Sequence, residues 1–118
     1  MKWEQNFVET RVGDPALVAD AQRPAVLRNG DATEYASGLT VSRYRGLRTV
    51  GHSGWDSGYR ADVVRFPDQG MVFAALCNLG TILPAILTRK MAEAYLDDVM
   101  LPRESRSEER RVGKECRL

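Results

Sequence analysis

Leu47-Arg48-Thr49-Val50-Gly51-His52-Ser53-Gly54-Trp55-Asp56-Ser57-Gly58-Tyr59-Arg60-Ala61-Asp62-Val63-Val64-Arg65-Phe66 decides the fold, together with the Pro67-Asp68-Gln69-Gly70 and Met71-Val72-Phe73-Ala74-Ala75-Leu76-Cys77 that follow it. Its β-branched and aromatic residues cluster in short runs, and each run ends in turn-forming glycine, proline, aspartate or serine. Upstream, Leu39-Thr40-Val41-Ser42-Arg43-Tyr44 alternates and Arg45-Gly46 turns back. Strands are therefore predicted near 36–44, 47–53, 59–66 and 71–79. Turns this short favour antiparallel neighbours. The segment after Gly54 reads as a glycine-rich loop. The run Met71–Cys77 is apolar at nearly every position, which suits a strand covered on both faces.

Helices flank these strands. Trp3, Phe7 and Val8 have helical spacing over residues 2–12, and Gly13-Asp14-Pro15 stops them. Residues 15–29 read as a short helix and a loop, and Asn29-Gly30-Asp31 as a turn. After the last strand a helix is predicted over 82–99, capped by Thr81, with Pro84 in its first turn. Leu83, Leu87, Met91, Ala94 and Tyr95 form one stripe along it. The fold class is α/β in content and α+β in arrangement, an antiparallel β-sheet flanked by helices. A single stripe covers one sheet face, and only the short N-terminal helix is left for the other. The chain thus reads as lacking a partner layer.

Composition excludes several functions. A formal charge of +1 over 118 residues gives no basis for nucleic-acid binding. No apolar run approaches the ~18–20 residues of a membrane helix, and charge near Met1 interrupts any secretory leader. One histidine and the distant Cys77 and Cys116 supply neither a metal site nor a disulfide framework. No cofactor is expected. Residues 106–117 read RSEERRVGKECR, which resembles the in-frame translation of a sequencing-library adapter. Without those residues the charge of the rest is −1. Residues 1–101 are expected to form the folded segment, and 102–118 a disordered tail of artefactual origin.

Three glycines, two serines and the sole histidine fall within residues 51–59. The triplet His52-Ser53-Gly54, on a strand and followed by strand, turn, strand and helix, resembles the third motif of the penicillin-recognising serine hydrolases. These are the class C beta-lactamases and their DD-peptidase, D-aminopeptidase and esterase relatives. The resemblance spans roughly residues 1–100 and corresponds to the C-terminal third of that catalytic domain, a beta-lactamase/transpeptidase-like fold. It implies an acyl-enzyme hydrolase acting on an amide or ester of a small-molecule or peptide-like substrate. His52 would polarise the substrate or the proton relay, and an imidazole can do so neutral or charged. Gly54 would let substrate lie close to the strand. The Trp55 N–H would be an oxyanion donor, and Trp55 and Tyr59 would line the rim. Histidine in place of the lysine of antibiotic-hydrolysing members points to peptidase- or esterase-like substrates. Relatives are often exported.

The other motifs are missing. Ser37, Ser42, Ser53, Ser57, Ser105 and Ser107 are followed three residues on by Thr40, Arg45, Asp56, Arg60, Glu108 and Arg110, never by the activating lysine. Tyr35, Tyr44, Tyr59 and Tyr95 have no asparagine two residues on. Ser53 or Ser57 with His52 and Asp56 or Asp62 would make a Ser-His-Asp set, but no nucleophile-elbow spacing is present. The missing N-terminal part of the domain is therefore an expected partner, and the chain alone is expected to be inactive. The alternative is a stand-alone, non-enzymatic α/β module presenting His52, Trp55 and Tyr59 to a ligand.

Overall fold

The computed structural model describes residues 2–103. The expected tail therefore lies outside the described residues, apart from Pro102 and Arg103. The chain is α+β. Helices α1 (Lys2–Glu9) and α2 (Pro15–Ala21) precede β1 (Thr40–Tyr44), β2 (Leu47–Asp56), β3 (Tyr59–Phe66) and β4 (Met71–Cys77), and α3 (Pro84–Leu96) follows. The strands form one sheet in the order β1-β2-β3-β4, antiparallel throughout. Two-residue turns at Arg45-Gly46 and Ser57-Gly58 put all four central residues at positive φ. That is the twist which lets neighbouring strands stay paired.

The glycine-rich segment is not a loop. β2 runs on to Asp56, and Gly54 pairs with Ala61, Trp55 with Arg60 and Asp56 with Tyr59. Cross-strand pairing outweighs the weak strand preference of serine and glycine here.

The core lies between the sheet and α3. Val64, Phe66, Ala92, Leu96 and Met100 form it, with Tyr44, Leu47, Met71 and Phe73 packed around them. Three expectations are corrected. α3 begins at Pro84, not Ile82, with Leu83 as N-cap and no side-chain cap. Its buried positions are Pro84, Thr88, Ala92 and Leu96, while Leu83 and Tyr95 of the predicted stripe are 64% and 69% exposed. Small residues let the helix approach the sheet closely, and the bulkier stripe is rotated to its flank. β4 is covered on one side: Phe73 packs on Phe66, whereas Leu76 is 89% exposed.

On the other sheet face, α1 and α2 reach only the area around Arg65. The Arg65 guanidinium lies 4.2 Å over Phe7, is 3.5 Å from Glu4 and donates to Gln22 Oε1 at 2.6 Å. Burial pushes its pKa down, and Glu4 opposes this.

Candidate functional site

The site grows out of strand register. The residues closing a two-residue hairpin exchange backbone hydrogen bonds, and the pattern repeats at every second pair. Tyr44–Leu47 and Asp56–Tyr59 are those closing pairs. Odd-numbered residues of β2 therefore bond toward β1, and even-numbered ones toward β3. β1 stops where Thr40 pairs with Gly51, whereas β2 continues to Asp56. Beyond Gly51 the backbone N–H and C=O groups of Ser53 and Trp55 point out from a bare strand edge.

Side chains alternate across the sheet. Gly51 pairs with the core residue Val64, so the odd positions of β2 share the α3 face. His52 and Gly54 lie on the opposite, largely uncovered face. This separates His52 from Ser53, which is exposed beside its cross-strand partner Asp62. Asp62 is buried and already committed: Thr88 Oγ1 donates to its Oδ2 at 2.5 Å, and Arg89 Nη1 approaches at 3.4 Å. Ser53 and His52 thus cannot form a Ser-His-Asp set. At the hairpin tip, Ser57 Oγ donates to Asp56 Oδ1 at 3.1 Å.

Gly54 is open: a Cβ there would meet nothing closer than Ala61 Cβ at 3.6 Å. Trp55 and Tyr59 are exposed and, with Gly54, Ala61 and Leu76, line an open concavity of about 410 Å³. His52 is not part of that lining. Its imidazole instead meets the Tyr35 ring edge-on, centroids 6.4 Å apart and planes at 63°. The Arg60 guanidinium stacks 3.4 Å from the centre of the Trp55 ring, and Arg60 Nε donates to Gly80 O at 2.7 Å. Gly80 itself packs closely on Gly58, fixing the hairpin tip.

Sequence reading missed Tyr35 and Arg60. The Arg60 contact could have been found from a two-residue turn at Ser57-Gly58, which makes Trp55 and Arg60 a cross-strand pair. Tyr35 reaches His52 through an isolated bridge with Thr40, for which the local pattern carries no signal.

A larger concavity of about 830 Å³ lies by the β1–β2 turn, among Tyr44, Arg45, Arg89 and Glu93. Its polar groups already pair with one another. Tyr44 Oη donates to Glu93 Oε1 at 2.8 Å, Arg45 bridges to Asp97 at 2.7 Å, and Arg103 pairs with Glu93. Arg103 holds the Glu93 carboxyl below its ordinary value against the effect of burial, while burial and Glu93 push the Tyr44 phenol up. This network fastens the turn to α3, and the bare β2 edge is the better candidate for chemistry.

Among the described residues no group of three or more His, Cys, Asp or Glu could hold a metal ion. No described helix is long and apolar enough to cross a membrane. Comparison with protein-family models, with curated proteins and with solved structures finds no match to this chain.

Proposed function

We propose that this chain is the C-terminal part of the catalytic domain of a beta-lactamase-related serine hydrolase, and that it supplies the strand along which substrate lies. The carrying observation is the bare edge of β2 beyond Gly51, with His52 and Gly54 on the uncovered sheet face. Leu76 at 89% exposed and Tyr95 at 69% support a further layer of protein against this sheet and helix.

The nucleophilic serine comes from outside this chain. Its oxygen attacks the substrate carbonyl, and the negative charge that develops on the carbonyl oxygen is met by the Trp55 N–H and the serine's own N–H. Collapse of that intermediate expels the amine or alcohol, which takes up the proton lost by the serine through the proton relay, and leaves an acyl-serine that water hydrolyses to the free acid and serine. Gly54 has no side chain to block the close approach of substrate to the backbone. His52 provides a polar edge on the same face and can donate to the substrate or to the proton relay. The substrate class is an amide or ester of peptidase or esterase type.

The upstream coding sequence is the first test, since a Ser-x-x-Lys motif there supports the reading. With that portion restored, His52→Ala should lower kcat/KM on small esters or D-amino-acid amides by roughly 10²–10³-fold, as for loss of an oxyanion-type donor. Unchanged turnover would refute the role of the triplet. The concavity beside Trp55 and Tyr59 favours the second reading, a non-enzymatic ligand-binding module. A stop codon and translation start immediately before Met1 would support that reading instead.

A further inference from the structure

We infer that Tyr35 is a positioning residue for His52, holding the imidazole over the uncovered sheet face at the upstream end of the bare β2 edge. The functional consequence rests on the hydrolase reading; the contact itself does not.

The backbone around Tyr35 is fixed from two sides. Val41 N–H donates to Glu34 O at 2.7 Å, and Ala36 N–H to Leu39 O at 2.7 Å, tying the segment to β1. On the far side, Ala25 N–H donates to Tyr35 O at 2.9 Å, and Tyr35 N–H reaches Thr33 Oγ1 at 3.3 Å. Ser42 Oγ adds a bond to Glu34 Oε1 at 2.8 Å. The ring gains its place from this framework rather than from burial, since Tyr35 remains 51% exposed. An aromatic residue held that firmly, with half its surface in water, adds little to the core. Its defined aromatic neighbour is His52, in edge-to-face geometry at 6.4 Å.

His52 is exposed and has no side-chain hydrogen bond among the described residues, so the Tyr35 ring is what restricts its rotamer. The location also fits. β1 ends at Thr40 opposite Gly51, and Tyr35 bridges to Thr40, so the ring stands where the bare edge begins. An imidazole fixed there keeps its nitrogens beside whatever occupies the edge at Ser53–Trp55, without a loss of freedom on binding.

The test uses the chain's single histidine, whose two ring-carbon protons give one assignable pair of NMR resonances in the 118-residue protein. The wild type should show nuclear Overhauser contacts between these protons and the Tyr35 ring. Tyr35→Leu should abolish the ring-current displacement of both resonances, while Tyr35→Phe retains it, with circular dichroism confirming that both variants fold. Should Tyr35→Leu fail to fold, the wild-type and Tyr35→Phe contacts decide. Absent contacts, or resonances unmoved in Tyr35→Leu, would overturn the inference.

In the restored enzyme, Tyr35→Leu should lower kcat by about tenfold or more with a smaller change in KM, and Tyr35→Phe should rescue it. Equal kcat in wild type and Tyr35→Leu would reduce Tyr35 to a structural residue and overturn the inference. A restored wild type without hydrolase activity would instead overturn the hydrolase reading, and the NMR result would then decide the Tyr35–His52 contact alone.

Discussion

Gly51 and Gly54 lie three residues apart on one strand, and a side chain added at each would meet very different surroundings. A Cβ at Gly51 would stand 2.1 Å from Val63 O and 3.1 Å from both Val63 C and Val64 Cα. The obstructing atoms are backbone, in a position paired on one side with Thr40 and on the other with Val64. To relieve the clash, one strand of the sheet centre must move by about an ångström, which no side-chain rotation can supply. Overpacking a well-fitted site costs about 1–3 kcal/mol and sometimes more, and a backbone clash in a central strand belongs at the top of that range. Gly51→Ala should therefore destabilise by about 3 kcal/mol, which for a domain of this size lowers the thermal midpoint by roughly 12–24 °C. At Gly54 the same Cβ meets Ala61 at an ordinary 3.6 Å, so Gly54→Ala should stay within about 1 kcal/mol of wild type. Urea unfolding at 25 °C, followed by far-UV circular dichroism, reads both. If Gly51→Ala unfolds within about 0.5 kcal/mol of wild type, or if Gly54→Ala is the more damaging, the register-based reasoning fails. On the proposed hydrolase reading the order reverses in the restored enzyme: Gly54→Val should stop turnover by filling the open space proposed for substrate, with little loss of stability.

Thr88→Val removes a fully buried hydroxyl that donates to Asp62 at 2.5 Å. It should cost about 1.5–3 kcal/mol in the same urea assay, with Thr88→Ser near wild type; equal stability of all three would show that the bond contributes nothing. Glu93, held below its ordinary pKa by Arg103, contributes stability that is present above the unfolded-state value of about 4.3 and is lost as pH falls through its lower folded value. Glu93→Gln should therefore flatten the acid limb of the thermal midpoint against pH, and an unaltered limb would refute the assignment. The isolated chain, lacking any Ser-x-x-Lys, should remain unlabelled by a fluorophosphonate or penicillin probe, and stoichiometric labelling at Ser53 or Ser57 would reopen the strand as a source of nucleophile.

The sheet was legible because its turns carry strong local chemistry. Arg45-Gly46 and Pro67–Gly70 punctuate apolar runs, and the glycine closing each turn, Gly46 and Gly70, takes the positive φ that the chain reversal needs. The extension of β2 was not legible. Ser53 and Gly54 are loop-forming by composition, and only pairing with Asp62 and Ala61 keeps them in the strand, while Ser57 and Gly58 form the turn itself. The consequence for the site was available in principle. On any strand, neighbours such as His52 and Ser53 face opposite ways, so no catalytic set could unite them once the strand passed through both.

The misplaced stripe of α3 has a different cause. Periodicity shows that Leu83, Leu87, Met91, Ala94 and Tyr95 share a face, but it does not show which of two apolar arcs meets the sheet. Pro84, Thr88, Ala92 and Leu96 form a second arc one position further on. They win the sheet because they are smaller over the crowded strand centres and because Thr88 carries the partner that the buried Asp62 carboxylate requires. The larger arc is then left overhanging the β4 side, where Tyr95 touches Phe73. The other flank of the helix carries Arg89 and Glu93, which reach Tyr44. One side of α3 is thus finished with ion pairs and hydrogen bonds, and the other with bare leucine, methionine and tyrosine. The apolar arc of α3 thus exceeds what its own sheet covers. The side it leaves uncovered is the one beside the edge strand β4, whose run Met71–Cys77 contains neither charge nor proline to discourage pairing.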